Sequence, residues 1–250
     1  MKARLTSLLL LAGLVVLWEG AARGFAMSML VLPPPTAVLQ ALWKGLASGY
    51  FWPHLGATTL ELLLGLAAGS AFGFAAGVLL AEHAGLRRVL LPYVVASQVI
   101  PKLALMPLFI VWFGFGLLPT VVVTALICFF PLMENTLTGL AQVPTERLEL
   151  FRMLGATRAQ TLWRLKLPTG LPAVLAGLRI AVVLALVGVV VGEFIGTSQG
   201  LGALIIAAQG SMDTPLMFAV LLLVSLLGLC AYQATLLLER RLLRPYSFTS

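Results

Sequence analysis

A lysine within a long apolar run is a functional candidate, because a charge inside a lipid bilayer is energetically costly. Lys102 stands between Pro101 and Pro107. Prolines so close together predict a broken helix, whose freed backbone carbonyls could line a pathway. A lysine beside such a pathway would attract an anion. Its side chain would equally reach a lipid headgroup, so both possibilities stay open.

A carboxylate stands at the start of a glycine-rich stretch, residues 192–202. Glu193 opens this stretch, which includes Gly200 and Gly202. The flexible backbone of so many glycines predicts either part of a gate or a simple connecting loop. The candidate pathway or gate residues are therefore Lys102, Pro101, Pro107, Glu193, Gly200 and Gly202.

Two further charged residues have local explanations. Thr58 and Glu61 have the spacing of a capping box, which predicts a helix start and accounts for the carboxylate without a transport role. Arg179 is predicted to extend toward the cytoplasmic side or to pair with Glu134 rather than to contact a solute.

The sequence has no motif for nucleotide or metal chemistry. It contains neither a phosphate-binding Gly-x-x-x-x-Gly-Lys-Ser/Thr loop nor a His-Glu-x-x-His pair. Cys128 and Cys230 lie inside apolar runs, and His54 and His83 flank such runs as interfacial polar groups. We therefore predict no metal site, no bound ATP and no catalysis by this chain.

The longest polar interval, residues 142–169, reads QVPTERLELFRMLGATRAQTLWRLKLPT and predicts a bend between two short helices. Thr145 can cap the first helix, and Gly155 can end it in a left-handed conformation. Thr157 forms a capping box with the glutamine three residues later, and Pro168 is predicted to stop the second helix. One helix face is predicted from apolar residues spaced every three positions: Leu148, Phe151 and Leu154. We call residues 142–169 the elbow.

Composition excludes a water-soluble fold. Hydrophobic residues make up 60% of the 250 residues and charged residues only 10%, against about 25% charge in soluble domains. The formal net charge of +7 comes from basic residues in gaps between apolar runs. That pattern favours the anionic inner surface of a membrane over nucleic acid as the partner.

Apolar runs of spanning length predict an all-α polytopic membrane protein with six transmembrane helices, because lipid requires the backbone to bond within each segment. The predicted spans are Leu5–Ala21, Thr59–Ala81, Val89–Phe113, Leu117–Leu137, Leu171–Val191 and Pro215–Leu238, with the elbow between spans 4 and 5. The first run alternatively fits a cleaved signal peptide, which would leave five spans. After the first run, Ala37–Leu46 predicts a short amphipathic helix on the outer interface.

Orientation is predicted from the basic residues, which favour cytoplasmic loops. Twelve of the sixteen Lys and Arg residues fall in alternate gaps: Lys2, Arg4, Arg87, Arg88, Arg147, Arg152, Arg158, Arg164, Lys166, Arg240, Arg241 and Arg244. Both termini and the elbow are therefore predicted to be cytoplasmic.

The elbow resembles the cytoplasmic loop of ATP-binding-cassette importer permeases, which begins Glu-Ala-Ala, has Gly three residues later and ends Ile-x-Leu-Pro. The chain has Glu149-Leu150-Phe151, Gly155 and Leu165-Lys166-Leu167-Pro168 at the same spacing, with bulkier residues replacing Ala-Ala. Five stretches of the chain resemble the nitrate, sulfonate and taurine branch of these permeases. They are LPPPTA (residues 32–37), IPKLALMPLFIVWFGFG (100–116), CFFPLMENT (128–136), AGLRIA (176–181) and GLG (200–202).

The resemblance implies one permease domain over residues 1–250, with core spans at about 59–238, in a bacterial inner membrane. It implies a second permease copy, making a homodimer, two ATPase subunits that hold ATP and Mg, and an external binding protein. The docking residues that it implies are Glu149, Phe151, Arg152, Leu154, Gly155, Ala156, Thr157, Leu165, Leu167 and Pro168.

Two other classes are compatible with a multispan chain. A stand-alone secondary transporter would be expected to show internal repeats and paired broken helices, and a membrane enzyme would need converging polar residues. Neither pattern is visible in the sequence. The resemblance implies nitrate, aliphatic sulfonates, taurine, or pyrimidine and flavin precursors as substrates, without choosing among them.

Overall fold

The computed structural model describes residues 2–24 and 28–244, and this part of the chain is helical without strands. The helices are α1 (Lys2–Gly24), α2 (Pro35–Ala47), α3 (Phe51–Glu82), α4 (Ala84–Ser97), α5 (Met106–Phe113), α6 (Leu117–Ala141), α7 (Thr145–Met153), α8 (Arg158–Thr161), α9 (Leu167–Gly196), α10 (Leu201–Gly210) and α11 (Thr214–Leu243). The predicted all-α class is confirmed.

Four helices in the described residues are long and apolar enough to cross a membrane: α3, α6, the continuous helix Arg158–Gly196, and α11. The third predicted span is instead two helical pieces, Ala84–Ser97 and Lys102–Phe113, bent by 79°. The predicted break at Lys102 is confirmed, and counting the bent pair as one span gives five. The first predicted run lies within the 23-residue α1, and the total of six spans stays a prediction.

Helix α6 packs between α3 and α9 at the centre of the molecule. The contact with α3 is close because glycines at every fourth position of α3 face α6: Gly65, Gly69, Gly73 and Gly77. A Cβ atom added at Gly65 would lie 2.6 Å from the Thr124 Cβ, and one at Gly77 would lie 2.6 Å from the Thr136 Cβ. The two backbones therefore touch without intervening side chains, as small residues permit in membrane helices.

The predicted capping box of Thr58 and Glu61 is wrong, because α3 begins at Phe51. Phe51 is fully buried against Val38 and Leu201, which holds the added turns in place. Thr58 and Glu61 consequently lie inside the helix, and both are buried. Tertiary packing of Phe51 therefore overrides the local helix-start signal of Thr58 and Glu61.

The short helix predicted over Ala37–Leu46 is confirmed as α2. It begins at Pro35, where a missing backbone N–H is harmless. Val38 is buried against α10 and α11 residues, whereas Trp43 is 73% exposed, so the helix is amphipathic.

Candidate functional site

The first helix of the elbow ends where the sequence predicts. Helix α7 ends at Met153, and Gly155 has φ +73°, a left-handed conformation that favours glycine. The Gly155 N–H donates to the Arg152 carbonyl at 3.0 Å. The predicted cap at Thr145 is wrong, because the cap position is Pro144 and Thr145 already belongs to the helix.

The second helix of the elbow begins with the predicted capping box. The Thr157 N–H donates to Gln160 Oε1 at 2.8 Å, and the Gln160 N–H donates to Thr157 Oγ1 at 3.2 Å. Two backbone donors at the start of α8 are thus satisfied by side chains. Gly155 and Thr157 thus end α7 and start α8 within a connection of four residues.

Pro168 does not stop the second helix, so that prediction is wrong. The helix widens into a π-helical turn at Leu162–Lys166 and continues as α9 to Gly196. A proline ring clashes with the carbonyl four residues earlier in an α-helix. The Leu167 N–H instead bonds to the Leu162 carbonyl five residues back, and the wider turn accommodates the proline. The elbow is therefore directly continuous with a central spanning helix.

A half-buried ion pair connects the elbow to a second spanning helix. Lys166 Nζ lies 2.6 Å from Glu82 Oε1 at the end of α3, and both side chains are only 19% exposed. The pair joins the π-helical turn to α3. Movement of the elbow would be transmitted to α3 as well as to α9.

The elbow exposes four large apolar side chains, which we call the apolar patch: Leu150 and Met153 on α7, Leu154 at its end, and Trp163 in the π-helical turn. Their exposed fractions are 53%, 84%, 73% and 69%. The predicted face of Leu148, Phe151 and Leu154 is not one surface, because Leu148 and Phe151 are half-buried and Leu154 is exposed. Several exposed large apolar side chains among exposed charged residues are typical of a protein-docking surface.

The candidate docking residues are gathered on this elbow but differ in burial. Those exposed are Glu149, Arg152, Leu154, Gly155 and Thr157. Phe151, Ala156, Leu167 and Pro168 are half-buried, and Leu165 is buried beneath the elbow. Leu150, Met153 and Trp163 are not among the predicted docking residues, because their apolar character is visible in the sequence but their exposure depends on the fold.

Comparison with known families decides what kind of protein carries this elbow. Residues 69–244 match the family of binding-protein-dependent transport system inner membrane components. The chain belongs to this family. The resemblance to importer permeases is thereby confirmed, and with it a role in transport across a membrane.

Individual relatives of this permease agree with the family match. It is 39% identical over 233 residues to a probable ABC transporter permease protein of Haemophilus influenzae, covering 93% of this chain and 94% of the relative. It is 38% identical to the formylaminopyrimidine transport permease protein ThiX of Halalkalibacterium halodurans, covering 92% and 91%. It is 31% identical to the taurine transport system permease protein TauC of Escherichia coli, covering 93% and 86%.

The fold of the permease is also similar to a solved structure. An inward-facing conformation of the MetNI methionine ABC transporter matches with a TM-score of 0.64 at 24% identity, covering 78% of this chain and 94% of that one. At this identity the match supports the fold alone.

Lys102 lies at the bend of the broken span of the permease. It begins a short 3₁₀ turn after Pro101, and Pro107 lies in the first turn of α5. Lys102 Nζ donates to Gln98 Oε1 at 2.7 Å. Both residues line a cavity of about 390 Å³ whose other walls include Phe130 and Leu184. The lysine therefore has an open volume beside it.

Glu193 lies inside α9 rather than opening a loop, because the helix continues to Gly196. Its side chain is fully buried. Glu193 Oε1 accepts from the Thr58 hydroxyl at 2.6 Å, and Oε2 accepts from the Gly202 N–H at 2.5 Å. The glycine-rich stretch is thus a short turn, residues 197–200, held against α3. Its gate role stays a prediction.

Two other predicted polar interactions are corrected. Arg179 pairs with Glu239 of α11, Nε to Oε2 at 3.2 Å, and not with Glu134. His54 is more than an interfacial polar group, because its Nδ1 lies 3.0 Å from the carbonyl oxygen of Gly200. Both partners are distant in sequence, which is why spacing could not identify them.

Proposed function

We propose that the chain forms the membrane pathway of an ATP-binding-cassette importer and that the elbow is the docking site of a separate ATPase subunit. The observation that carries this proposal is the apolar patch on a helical elbow that is continuous with α9. A subunit docked there would contact Trp163, which lies on the helix continuous with α9, and would contact α7, which only the short turn at residues 154–157 separates from that helix.

The assembly proposed is a homodimer of this chain with two ATPase subunits and an external binding protein. ATP and Mg would be held by the ATPase subunits, and this chain would carry no ATPase site of its own. Both termini and the elbow would face the cytoplasm of a bacterial inner membrane, in agreement with the basic residues in alternate gaps.

The solute proposed is a small organic or inorganic anion or a vitamin precursor. The relatives named for taurine, aliphatic sulfonates, formylaminopyrimidine and riboflavin transport define this range. Lys102 beside the cavity at the bend favours an anionic member of it.

Reconstitution tests the function. The permease, purified from its own membrane with its bound subunits, is expected to take up solute into proteoliposomes only when ATP and the binding protein are supplied. Uptake by the chain alone, driven by an ion gradient, would instead establish a secondary transporter. Chemical turnover of a solute would establish an enzyme. Crosslinking in native membranes tests the homodimer.

Replacing Lys102 with methionine is expected to lower uptake of an anionic solute about tenfold or more, because a lost hydrogen bond to a charged group costs about 1.5 to 3 kcal/mol. The substitution keeps the length of the side chain and removes its charge. Replacing the exposed Lys44 of α2 with methionine is the matched control. Initial uptake rates in proteoliposomes measure the effect, and an undiminished rate in Lys102→Met would favour the headgroup role.

A further inference from the structure

A buried network joins three helices on the face opposite the elbow. Helix α9 begins at the elbow and extends 30 residues, about 45 Å, before the turn that leads into α10. At that far end the Glu193 carboxylate of α9 accepts hydrogen bonds from Thr58 of α3 and from the Gly202 N–H of α10. The Thr58 hydroxyl oxygen in turn accepts from the Leu201 N–H at 2.8 Å. The start of α10 is therefore held by one carboxylate and one hydroxyl.

The helix held in this way is short and deeply inserted. The 10 residues of α10 span about 15 Å, too little to cross a bilayer. Leu201, Leu204 and Ile205 are nonetheless buried among residues of α2, α3 and α11. Gly200 makes the preceding turn with φ +125°, a conformation that favours glycine. Release of this turn would free the start of α10 from α3 and α9.

A second carboxyl faces the first. Glu61 of α3 is 3% exposed and lies one helical turn after Thr58, on the face of α3 that meets Glu193. Its Oε2 has no hydrogen-bond partner in the described residues. An ionised carboxylate buried without a donor or a cation is strongly disfavoured, so two buried carboxyls on facing helices favour a state in which one of them carries a proton. Glu193 already accepts two donors, which favours its ionised form and assigns the proton to Glu61.

The surroundings do not supply a compensating cation. The donors to Glu193 are the Thr58 hydroxyl and the Gly202 N–H, and none of the ion pairs in the described residues involves Glu61 or Glu193. A further titratable group beside the network is His54, whose Nδ1 lies 3.0 Å from the Gly200 carbonyl oxygen. Two adjacent buried carboxylates would repel each other strongly if both were charged. A cavity of about 360 Å³, lined by Glu61 and by residues 197–199, offers the proton a way in and out.

We propose that Glu61 and Glu193 share one proton and together clasp the α9–α10 turn to α3, so that opening of the permease on the face opposite the elbow depends on that proton. The assignment of the turn to a gate rests on the proposed importer function, whereas the clasp and the shared proton do not. Loss of the shared proton would charge both groups, and their repulsion would loosen the turn.

Hydrogen–deuterium exchange of the intact permease–ATPase complex tests the clasp directly. In Glu193→Gln and Thr58→Val the amides of Leu201 and Gly202 are expected to exchange about tenfold faster or more, because each variant removes a hydrogen bond that holds them. Ser211→Ala, at the opposite end of α10, is the matched control and is expected to leave these two amides unchanged. Unchanged exchange in both test variants would overturn the clasp. If the Glu193→Gln protein does not accumulate, the exchange rates of these two amides in Thr58→Val alone test the clasp.

The shared proton is tested by the pH dependence of the same measurement. After correction for intrinsic exchange, wild-type exchange at Leu201 and Gly202 is expected to accelerate as pH rises, and ATP-driven uptake is expected to fall. Glu61→Gln keeps an N–H donor toward Glu193 and is expected to flatten both alkaline changes. His54 is unaltered in this variant, so flattening identifies the carboxyl pair as the titrating group.

Identical alkaline profiles in wild type and Glu61→Gln would overturn proton sharing. Absence of ATP-driven uptake in the wild-type complex would refute the proposed function instead, and the exchange data would still decide whether the clasp exists.

Discussion

Replacing Gly69 with valine is expected to remove most folded permease from the membrane, whereas the same replacement at Gly56 is expected to leave its amount near wild type. Both glycines lie on α3, so the change in helix propensity is the same at the two sites. A Cβ atom at Gly69 would lie 2.8 Å from the Cβ of Cys128 and 2.9 Å from the Cα of Ala125 on α6. At Gly56 no described atom outside its own segment lies within 4 Å of that position.

The expected loss of stability in Gly69→Val depends on which atoms of α6 would have to move. Overpacking against side chains destabilises a core by about 1 to 3 kcal/mol, and here the obstacle includes the backbone of α6, which cannot rotate away. The contact between α3 and α6 would have to open along much of its length. Membrane-fraction immunoblots and the monodispersity of detergent-solubilised protein measure the outcome. Equal amounts of the two variants would show that the glycine face does not hold α3 against α6.

The part of the fold that sequence could predict is the part that local physics determines. Apolar runs of spanning length predicted the long helices, and two prolines predicted the bend at Lys102. Gly155 and the Thr157 capping box depend only on neighbouring backbone groups, and both formed as predicted. The glycines on α3 were also readable, since residues repeating every fourth position share one helix face.

Predictions failed where distant residues compete with local signals. The start signal at Thr58 was overridden because the preceding turns bury Phe51. Pro168 was accommodated by a π-helical turn, which no short motif announces. Arg179 found Glu239 rather than Glu134 because α9 packs against α11 there. Each of these features depends on contacts or backbone geometry that arise only when the helices pack together.

The candidate sites show the same division. The elbow was recognisable because its signals are consecutive in sequence. The network around Glu193 was not, because its partner Thr58 lies 135 residues away and Glu61 had a sufficient local explanation. The sequence signal for the pair is a carboxylate within a long apolar run, even one that fits a capping box, together with a second carboxylate at a similar depth in another run.

Replacing Gly155 with proline is expected to reduce ATP-driven uptake about a hundredfold while the protein still accumulates in the membrane. Proline requires a negative φ near −65°, whereas Gly155 has φ +73°. The substitution also removes the N–H that donates to the Arg152 carbonyl. Misplaced proline costs about 3 kcal/mol or more, which corresponds to roughly a hundredfold loss of the competent elbow conformation.

Accumulation should be preserved because Gly155 is exposed and no described atom outside its adjacent residues lies within 4 Å of its Cβ position. Gly155→Asn is the matched control, since asparagine tolerates the left-handed conformation and keeps the N–H, and its uptake is expected to stay within about fivefold of wild type. Glu149→Arg, which reverses an exposed charge on α7 without altering the turn, is expected to impair uptake as well. Wild-type uptake by both Gly155→Pro and Glu149→Arg, measured in proteoliposomes with the ATPase present, would show that the ATPase does not drive the spans through the elbow.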